Sequence, residues 1–240
     1  MNLRIFSDYS TLSRSTADLI VAYLKAKPKS LICLASGHSP KGVFECLIND
    51  VSSNRLNLDE CTFISLDEWL GMPASQPGSC RDMMDKDLFK PLGIDASRIV
   101  FFDGMSANPD QDVTVMNEVI DRAGGLDIML VGVGTNGHIA MNEPGTPFTA
   151  TAHISTLAAE TKIVGQKYFT SNTELDKGLT LGLAHFRTSR LPILIASGQA
   201  KQPIMKSVLT SPPDEQLPAS VVHLIPDAYV MVDMDPFAAG

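Results

Sequence analysis

The sequence predicts an α/β fold with a Rossmann-like, mostly parallel sheet that has helices on both faces. Short apolar runs alternate with amphipathic helical patterns, and turns rich in glycine, serine and proline separate them. Continuous apolar runs are typical of strands that are buried on both faces, as in parallel sheets. No linker or internal repeat interrupts this order, so we expect residues 1–240 to form a single domain.

The elements follow one another along the chain. The predicted strands are residues 30–35, 61–66, 99–102, 126–133, 179–183, 191–196 and 221–225, with 229–232 closing the sheet or forming its edge. The predicted helices are residues 17–24, 41–49, 79–88 and 110–122. Three of these helices end before Pro28, Pro91 or Gly124, because neither proline nor glycine continues a helix well.

The composition excludes several classes of protein. The chain has 19 lysines and arginines against 27 aspartates and glutamates, a formal net charge of −8, so we expect no nucleic-acid or membrane-surface partner. No apolar run approaches the roughly 18 residues of a membrane span, and the start lacks the apolar core of a signal peptide. The four cysteines form no C-x-x-C pair, which favours reduced thiols in a cytoplasmic protein.

Polar residues follow three of the predicted strands, at the edge of the sheet where α/β proteins bind ligands. After the first strand, Ser36, Gly37, His38 and Ser39 precede a helix, and the free N–H groups and dipole of such a turn favour a phosphate. The loop matches neither a Walker loop nor G-x-G-x-x-G, so it gives little support to a nucleotide site. The alternative is an ordinary turn in which Ser39 caps the helix.

Two acids, Asp67 and Glu68, directly follow the second strand and are followed by Trp69. A carboxylate at the carboxyl end of a strand is suited to act as a general base when its surroundings adjust its pKa. The alternative is that one acid caps the next element, that the other is solvated, and that Trp69 packs against the loop.

The most informative stretch, residues 131–145, follows the fourth strand and holds Asn136, His138, Asn142 and Glu143. A turn between His138 and Glu143 lets the carboxylate orient the imidazole for acid–base work, whereas a lone histidine is more often structural. The two asparagines offer hydrogen bonds to hydroxyl groups. Zinc has little support, because H-E-x-x-H is absent and no cysteine is near in sequence, so we expect no metal.

A phosphate site also needs cations, and two lysines are candidates. Lys201 follows a strand at a turn, and Lys167 lies in a helical stretch before Tyr168. The alternative for either is a solvated surface lysine, the commoner fate of that residue. The position after a strand makes Lys201 the stronger candidate.

Taken in order, these segments resemble the glucosamine-6-phosphate deaminase family, whose fold is shared with 6-phosphogluconolactonases. The resemblance runs from about residue 30 to residue 230. It rests on residues 36–40, 66–69, 134–145 and 198–201, of which the third segment is highly specific. Within the family the chain looks closest to the galactosamine-6-phosphate isomerase branch, on residues 33–37, 66–69, 77–80 and 124–127.

The resemblance implies an enzyme, an aldose–ketose isomerase and deaminase of amino-sugar catabolism. Its substrate would be galactosamine-6-phosphate or glucosamine-6-phosphate, its products a ketohexose 6-phosphate and ammonia, and it implies no metal or organic cofactor. By position, Asp67 resembles the base that moves a proton between C2 and C1. His138 resembles the acid–base group that opens the sugar ring, and Glu143 resembles the partner that orients it.

By the same resemblance, loop 36–39 forms a phosphate clamp with Lys201 and Lys167. Well-known members carry arginine at the place of Lys167, so the charge is kept but the bidentate fork is lost. Asn136 stands where many members have aspartate, and the missing charge should lower the pKa of the neighbouring histidine. Residues 151–155 lack the basic side chains of allosteric members, so we expect no allosteric site for an N-acetyl-sugar phosphate.

Two other functions stay open, a 6-phosphogluconolactonase and a non-catalytic sugar-phosphate sensor. The acids at residues 67–68 and the N-E-P-G run at residues 142–145 weigh against the lactonase, and no helix-turn-helix or basic patch supports the sensor. In each case the partner is a small sugar phosphate. The sequence leaves open the preference for either C4 epimer and whether the chain forms a homo-oligomer.

Overall fold

The computed structural model describes residues 1–238 and contains two sheets within them. The strands are β1 (Asn2–Ile5), β2 (Leu31–Leu34), β3 (Thr62–Ile64), β4 (Asp67–Trp69), β5 (Ile99–Val100), β6 (Ile128–Gly132), β7 (His153–Thr156), β8 (Lys177–Thr180), β9 (Leu191–Ala196) and β10 (Tyr229–Val232). The central sheet has the order β1-β10-β9-β6-β2-β3-β5, and all its neighbouring strands are parallel. The smaller sheet, β4-β8-β7, is antiparallel.

Helices connect the strands. They are α1 (Tyr9–Ala26), α2 (Lys41–Ser52), α3 (Cys80–Met84), α4 (Lys90–Leu92), α5 (Pro109–Arg122), α6 (Ala159–Gly165), α7 (Leu183–Thr188) and α8 (Gln202–Thr210), with a π-helical turn at Asp85–Phe89 and 3-10 turns at Ala96–Arg98, Gln166–Tyr168, Gln199–Lys201 and Pro218–Leu224. Three helices begin at side-chain caps, because Asp8, Ser79 and Asn108 each accept a hydrogen bond from a backbone N–H of the first turn.

The central sheet separates two apolar layers. Alternate residues of β6 point to opposite faces: Ile128 and Leu130 belong to the layer with α1 and α2, whereas Met129 and Val131 belong to the layer with α5, α7 and α8. All four side chains are fully buried. The α/β fold with a mostly parallel sheet and helices on both faces is therefore confirmed.

Two predicted strands lie outside the central sheet. Residues 221–225 overlap the 3-10 stretch Pro218–Leu224, in which Val221 and Val222 are fully buried. That prediction is wrong because a short apolar run does not distinguish a buried strand from a buried helical turn. Residues 179–183 overlap β8, which pairs antiparallel with β4 and β7 instead of joining the parallel strands.

The edge of the central sheet also differs from expectation. The strand at residues 229–232 neither closes the sheet nor forms its edge, because β1 pairs with β10 along its full length and takes the edge position. β1 is mostly exposed and has no continuous apolar run, so it lacks the sequence signal of a buried strand. No helix among residues 1–238 is both long enough and apolar enough to cross a lipid bilayer.

Candidate active site

A cavity of about 300 Å³ opens at the carboxyl edge of the central sheet. Its volume is at the lower end of the range for small-molecule pockets, which suits one sugar rather than a polymer. The residues predicted for the site that line it are Ser36, His38, Ser39, Asp67, His138, Lys167 and Lys201. The predicted residues that do not line it are Gly37, Asn136 and Glu143, and the last two lie behind His138.

Asp67 begins β4 immediately after the central sheet and is half-buried, with its open surface on the cavity. Burial raises the pKa of its carboxyl from 3.8 to about 6, and a hydrogen bond from the Cys80 thiol opposes that rise. The carboxylate is thus ionised at neutral pH and close to the pKa that suits a general base.

Glu68 has a different role, although it is adjacent in sequence. Its carboxylate accepts hydrogen bonds from the backbone N–H groups of Trp69 at 2.8 Å, Cys80 at 3.0 Å and Arg81 at 2.9 Å. It therefore satisfies N–H groups at the start of α3, as a capping residue does. The alternative interpretation of this acidic pair applies to Glu68, which caps the next element, but the other acid faces the cavity.

The loop after β2 reaches the cavity through Ser36, His38 and Ser39. Ser39 makes no capping hydrogen bond to α2, so the alternative in which Ser39 is the N-cap does not hold. Tyr9 on α1 holds the loop instead, because its hydroxyl donates to the Ser39 carbonyl at 2.9 Å and accepts from the Gly42 N–H at 2.8 Å. The loop therefore lies directly before the N-terminus of α2, where the helix dipole favours an anion.

Two ammonium groups lie on the same side of the cavity. The Lys201 Nζ donates to the Val133 carbonyl at 2.8 Å, and burial lowers the pKa of Lys201, with a further contribution from the charge of Lys167. Lys167 lies on the 3-10 turn after α6, with its Nζ 5.0 Å from the ring centroid of Tyr168. An anionic group of the ligand relieves the repulsion between these two cations.

His138 packs directly on the backbone of the preceding turn. An ideal Cβ on Gly134 would lie 2.1 Å from the imidazole, so only glycine leaves room for the ring. The ring Nδ1 lies 2.7 Å from the Asn136 Oδ1 and 3.2 Å from the Thr161 Oγ1. Both of these contacts are made by Nδ1, and the other ring nitrogen, Nε2, takes part in neither.

Asn136 lies between the imidazole and the carboxylate. Its Nδ2 donates to the Glu143 Oε2 at 3.0 Å, which leaves its Oδ1 to face His138, while the Glu143 Oε2 itself is 3.8 Å from the imidazole Nδ1. The hydrogen bonds from Glu143 to His138 thus run through Asn136, while the charge of Glu143 lies close enough to act on the imidazole. An amide oxygen can only accept, so Nδ1 carries the proton and Nε2 is a free base.

The protonation of His138 follows from its surroundings. Burial lowers the pKa of the imidazole, the charge of Glu143 raises it, and the charge of Lys201 lowers it again. The net shift is downward, so the ring is neutral at pH 7. A neutral imidazole with a free Nε2 is able to take a proton from a hydroxyl group.

Several residues of the cavity have no signal in the sequence. Thr161 and Tyr168 come from α6 and the 3-10 turn after it, and Tyr168 stacks on His38 with 5.5 Å between the ring centroids. Cys80 adds its thiol beside Asp67.

Asn142 is buried and donates to the Ile139 and Leu181 carbonyls, so it holds the turn instead of facing a ligand. Within residues 1–238, no three His, Cys, Asp or Glu side chains are grouped as metal ligands.

Comparison with known proteins agrees with this geometry. The family model for glucosamine-6-phosphate isomerases and 6-phosphogluconolactonase matches residues 8–230. A glucosamine-6-phosphate deaminase of Geobacillus sp. (strain WCH70) is 34% identical over 236 residues, which is 98% of this chain and 94% of that protein. The putative deaminase AgaI of Escherichia coli (strain K12) is 31% identical over 222 residues, 92% of this chain and 88% of that protein.

Solved structures give the same result. A monomeric glucosamine-6-phosphate deaminase superposes with a TM-score of 0.94 at 30% sequence identity, covering 98% of both chains. A 6-phosphogluconolactonase from Trypanosoma brucei superposes with a TM-score of 0.78 at 18% identity, covering 97% of this chain and 95% of the other. The second likeness shows the shared fold alone.

Proposed function

The chain is an enzyme of the family of glucosamine-6-phosphate isomerases and 6-phosphogluconolactonases, and we propose that it releases ammonia from an amino-sugar 6-phosphate. The proposed substrate is galactosamine-6-phosphate or glucosamine-6-phosphate, and the products are a ketohexose 6-phosphate and ammonia. The observation that carries the proposal is the shared cavity, in which Asp67 and the imidazole of His138 lie with Lys167 and Lys201.

The first step is ring opening, and it falls to His138. In the closed sugar the C2 proton is not acidic, because C1 is not yet a carbonyl. The free Nε2 accepts the proton of the C1 hydroxyl, the bond between C1 and the ring oxygen breaks, and the ring oxygen takes up a proton. Asn136 holds Nδ1 in its protonated form, so the nitrogen that faces the sugar stays available for this transfer.

The second step is the transfer of a proton between adjacent carbons, and it falls to Asp67. The carboxylate removes the C2 proton of the open-chain aldehyde and returns it to C1 on the same face. The aldehyde oxygen takes up a proton as the C2 proton leaves, and the nitrogen forms a double bond to C2 and gives up a proton as C1 is protonated. Water then adds to C2, ammonia leaves, and C2 becomes the ketone carbonyl. A carboxyl whose pKa burial raises to about 6 is basic enough to remove the proton and acidic enough to return it.

The phosphate group contributes binding energy away from the reacting carbons. Loop 36–39, the N-terminus of α2, Lys201 and Lys167 offer N–H groups, hydroxyls and two positive charges on one side of the cavity. Fixing the phosphate there positions C1 and C2 over Asp67, which converts binding energy into rate.

We place the reaction in the cytoplasm as part of the same proposal, since all four cysteines carry free thiols.

The test is an ammonia-release assay on both amino-sugar phosphates side by side, with Asp67→Asn and the exposed Asp227→Asn as a matched pair of variants. We expect the wild type and Asp227→Asn to release ammonia, and Asp67→Asn to lose the activity. The ratio of kcat/KM for the two substrates gives the preference at C4. Turnover of 6-phosphogluconolactone with no ammonia from either sugar would show a lactonase, and binding without any turnover would show a sensor.

A further inference from the structure

We propose that Asp233, which follows β10, is a positioning residue for the part of the phosphate site that Lys201 provides. Its two carboxylate oxygens accept hydrogen bonds from two consecutive residues after β9: Oδ1 from the Gly198 N–H at 2.7 Å, and Oδ2 from the Ser197 hydroxyl at 2.5 Å. The pair of bonds ties the turn between β9 and α8 to the end of the neighbouring strand.

The turn depends on this support because of its conformation. Gly198 has a φ of +87°, a left-handed value that glycine adopts without strain, and an ideal Cβ there would meet no atom within 4 Å. The space beside the Gly198 Cα is therefore open, and the hydrogen bond from its N–H to Asp233 ties the residue to the end of β10. The Gly198 carbonyl in turn accepts from the Lys201 N–H at 2.9 Å.

The side chain of Lys201 is also fixed at its far end. The Lys201 Nζ donates to the Val133 carbonyl directly after β6, so the ammonium group is fixed at the end of that strand. If the bond between Asp233 and Gly198 is lost, the first residue of the turn is free to move and the ammonium loses its fixed approach to the cavity. The carboxylate acts through Lys201 and does not itself line the cavity.

Ser197 lines the cavity, and Asp233 determines whether its hydroxyl is able to donate to a ligand. Because a carboxylate only accepts, the Ser197 hydroxyl donates its one proton to Asp233 and presents lone pairs to the ligand. Phosphate oxygens are acceptors, so Ser197 gives them no hydrogen bond. The donors for the phosphate are then the lysines and loop 36–39, which makes the position of Lys201 more important.

The experiment compares Asp233→Ala with Asp233→Asn and rests on the proposed function for its kinetic arm. The asparagine keeps an oxygen for the Gly198 N–H and offers its NH₂ to the Ser197 oxygen, so it preserves both contacts without the charge. Asp235→Ala is the control, because it removes the same charge from an exposed side chain two residues along, whose Oδ1 accepts from the Phe237 N–H.

Two measurements are made on each protein: KM and kcat for the amino-sugar 6-phosphate, and the Kd of inorganic phosphate by calorimetry. We expect Asp233→Ala to raise both KM and the phosphate Kd roughly tenfold, with kcat changed by less than about threefold. Asp235→Ala should stay within about twofold of the wild type, and Asp233→Asn should bind phosphate at least as tightly as the wild type, because the Ser197 hydroxyl then has its proton free for the phosphate. A merely structural role would instead lower the amount of active enzyme and the thermal midpoint, with KM and Kd unchanged, and would overturn the proposal.

The failure of this proposal is distinguishable from that of the proposed function. If the wild type releases ammonia and Asp233→Ala binds phosphate normally, the positioning role is wrong and the reaction stands. If no protein releases ammonia but Asp233→Ala still weakens phosphate binding, the proposed reaction is wrong and the positioning role stands. Should Asp233→Ala not fold, Ser197→Ala removes one of the two bonds and should raise the phosphate Kd about threefold, and an unchanged Kd would overturn the proposal.

Discussion

Replacing Asp67 with asparagine should make the protein more stable while it abolishes ammonia release. Burial raises the pKa of this carboxyl from 3.8 to about 6, so ionisation is less favourable in the folded protein than in the unfolded chain. A difference of roughly two pKa units corresponds to about 3 kcal/mol. Because the side chain is partly open to the cavity and the bond from the Cys80 thiol weakens when its acceptor is uncharged, we expect a net gain of about 1–3 kcal/mol.

The sign of the effect fixes its pH dependence. Below pH 3.8 the carboxyl is protonated in both the folded and the unfolded state, and ionisation carries no penalty. As the pH rises from about 4 to about 6, the unfolded chain ionises more readily than the folded protein, so wild type loses stability relative to Asp67→Asn. Above pH 6 the difference between the two proteins is constant.

Urea unfolding at a series of pH values from 4 to 8 measures this difference directly. In thermal unfolding at pH 8 the same gain raises the midpoint of a chain of this size by roughly 3–10 °C. Asp227→Asn, at an exposed position, controls for the loss of charge and should stay within about 0.5 kcal/mol at every pH. An Asp67→Asn protein no more stable than wild type at pH 8, or a difference that does not vary between pH 4 and 6, would refute the reasoning.

Three other predictions concern the reaction. In wild type, kcat/KM should fall about tenfold per pH unit below pH 6, the value to which burial raises the pKa of Asp67, and a pH–rate profile checks it. Gly134→Ala places a methyl group against the His138 ring and should lower kcat more than about 100-fold in steady-state assays, with phosphate binding by calorimetry unchanged. Lys167→Arg adds a bidentate fork and should lower KM by about twofold to tenfold, whereas an increase in KM would contradict a phosphate contact.

The sequence predicts most of the central sheet because buried parallel strands leave a strong local signal. Residues 191–196 are apolar throughout, and the strand β9 has those same bounds. The stretch at residues 221–225 is equally apolar but forms a 3-10 turn, since burial on all sides is compatible with either geometry. The strand β1 is missed for the opposite reason, because an exposed edge strand has no continuous apolar run.

Within the candidate site, the sequence predicts which segments meet but not how their side chains are ordered. Asn136, His138 and Glu143 are close in the chain, so their proximity is predictable. The two hydrogen bonds of Asn136, one with His138 and one with Glu143, depend on the turn at residues 134–142, where Ala140 has a φ of +54°. Such a turn is set by the packing around it, which periodicity does not describe. Thr161 reaches the imidazole from 23 residues away, and nothing local indicates that contact.

The acids at the carboxyl edge of the sheet differ in how many donors they satisfy, and this difference separates base from support. The ends of parallel strands and the starts of helices leave N–H groups without partners. Glu68 accepts three of them, and Asp233 accepts one together with a hydroxyl. Asp67 accepts no N–H from residues 1–238 and has only the Cys80 thiol as a donor. Its lone pairs stay available to a substrate, so of two acids adjacent in sequence the first is the one suited to proton transfer.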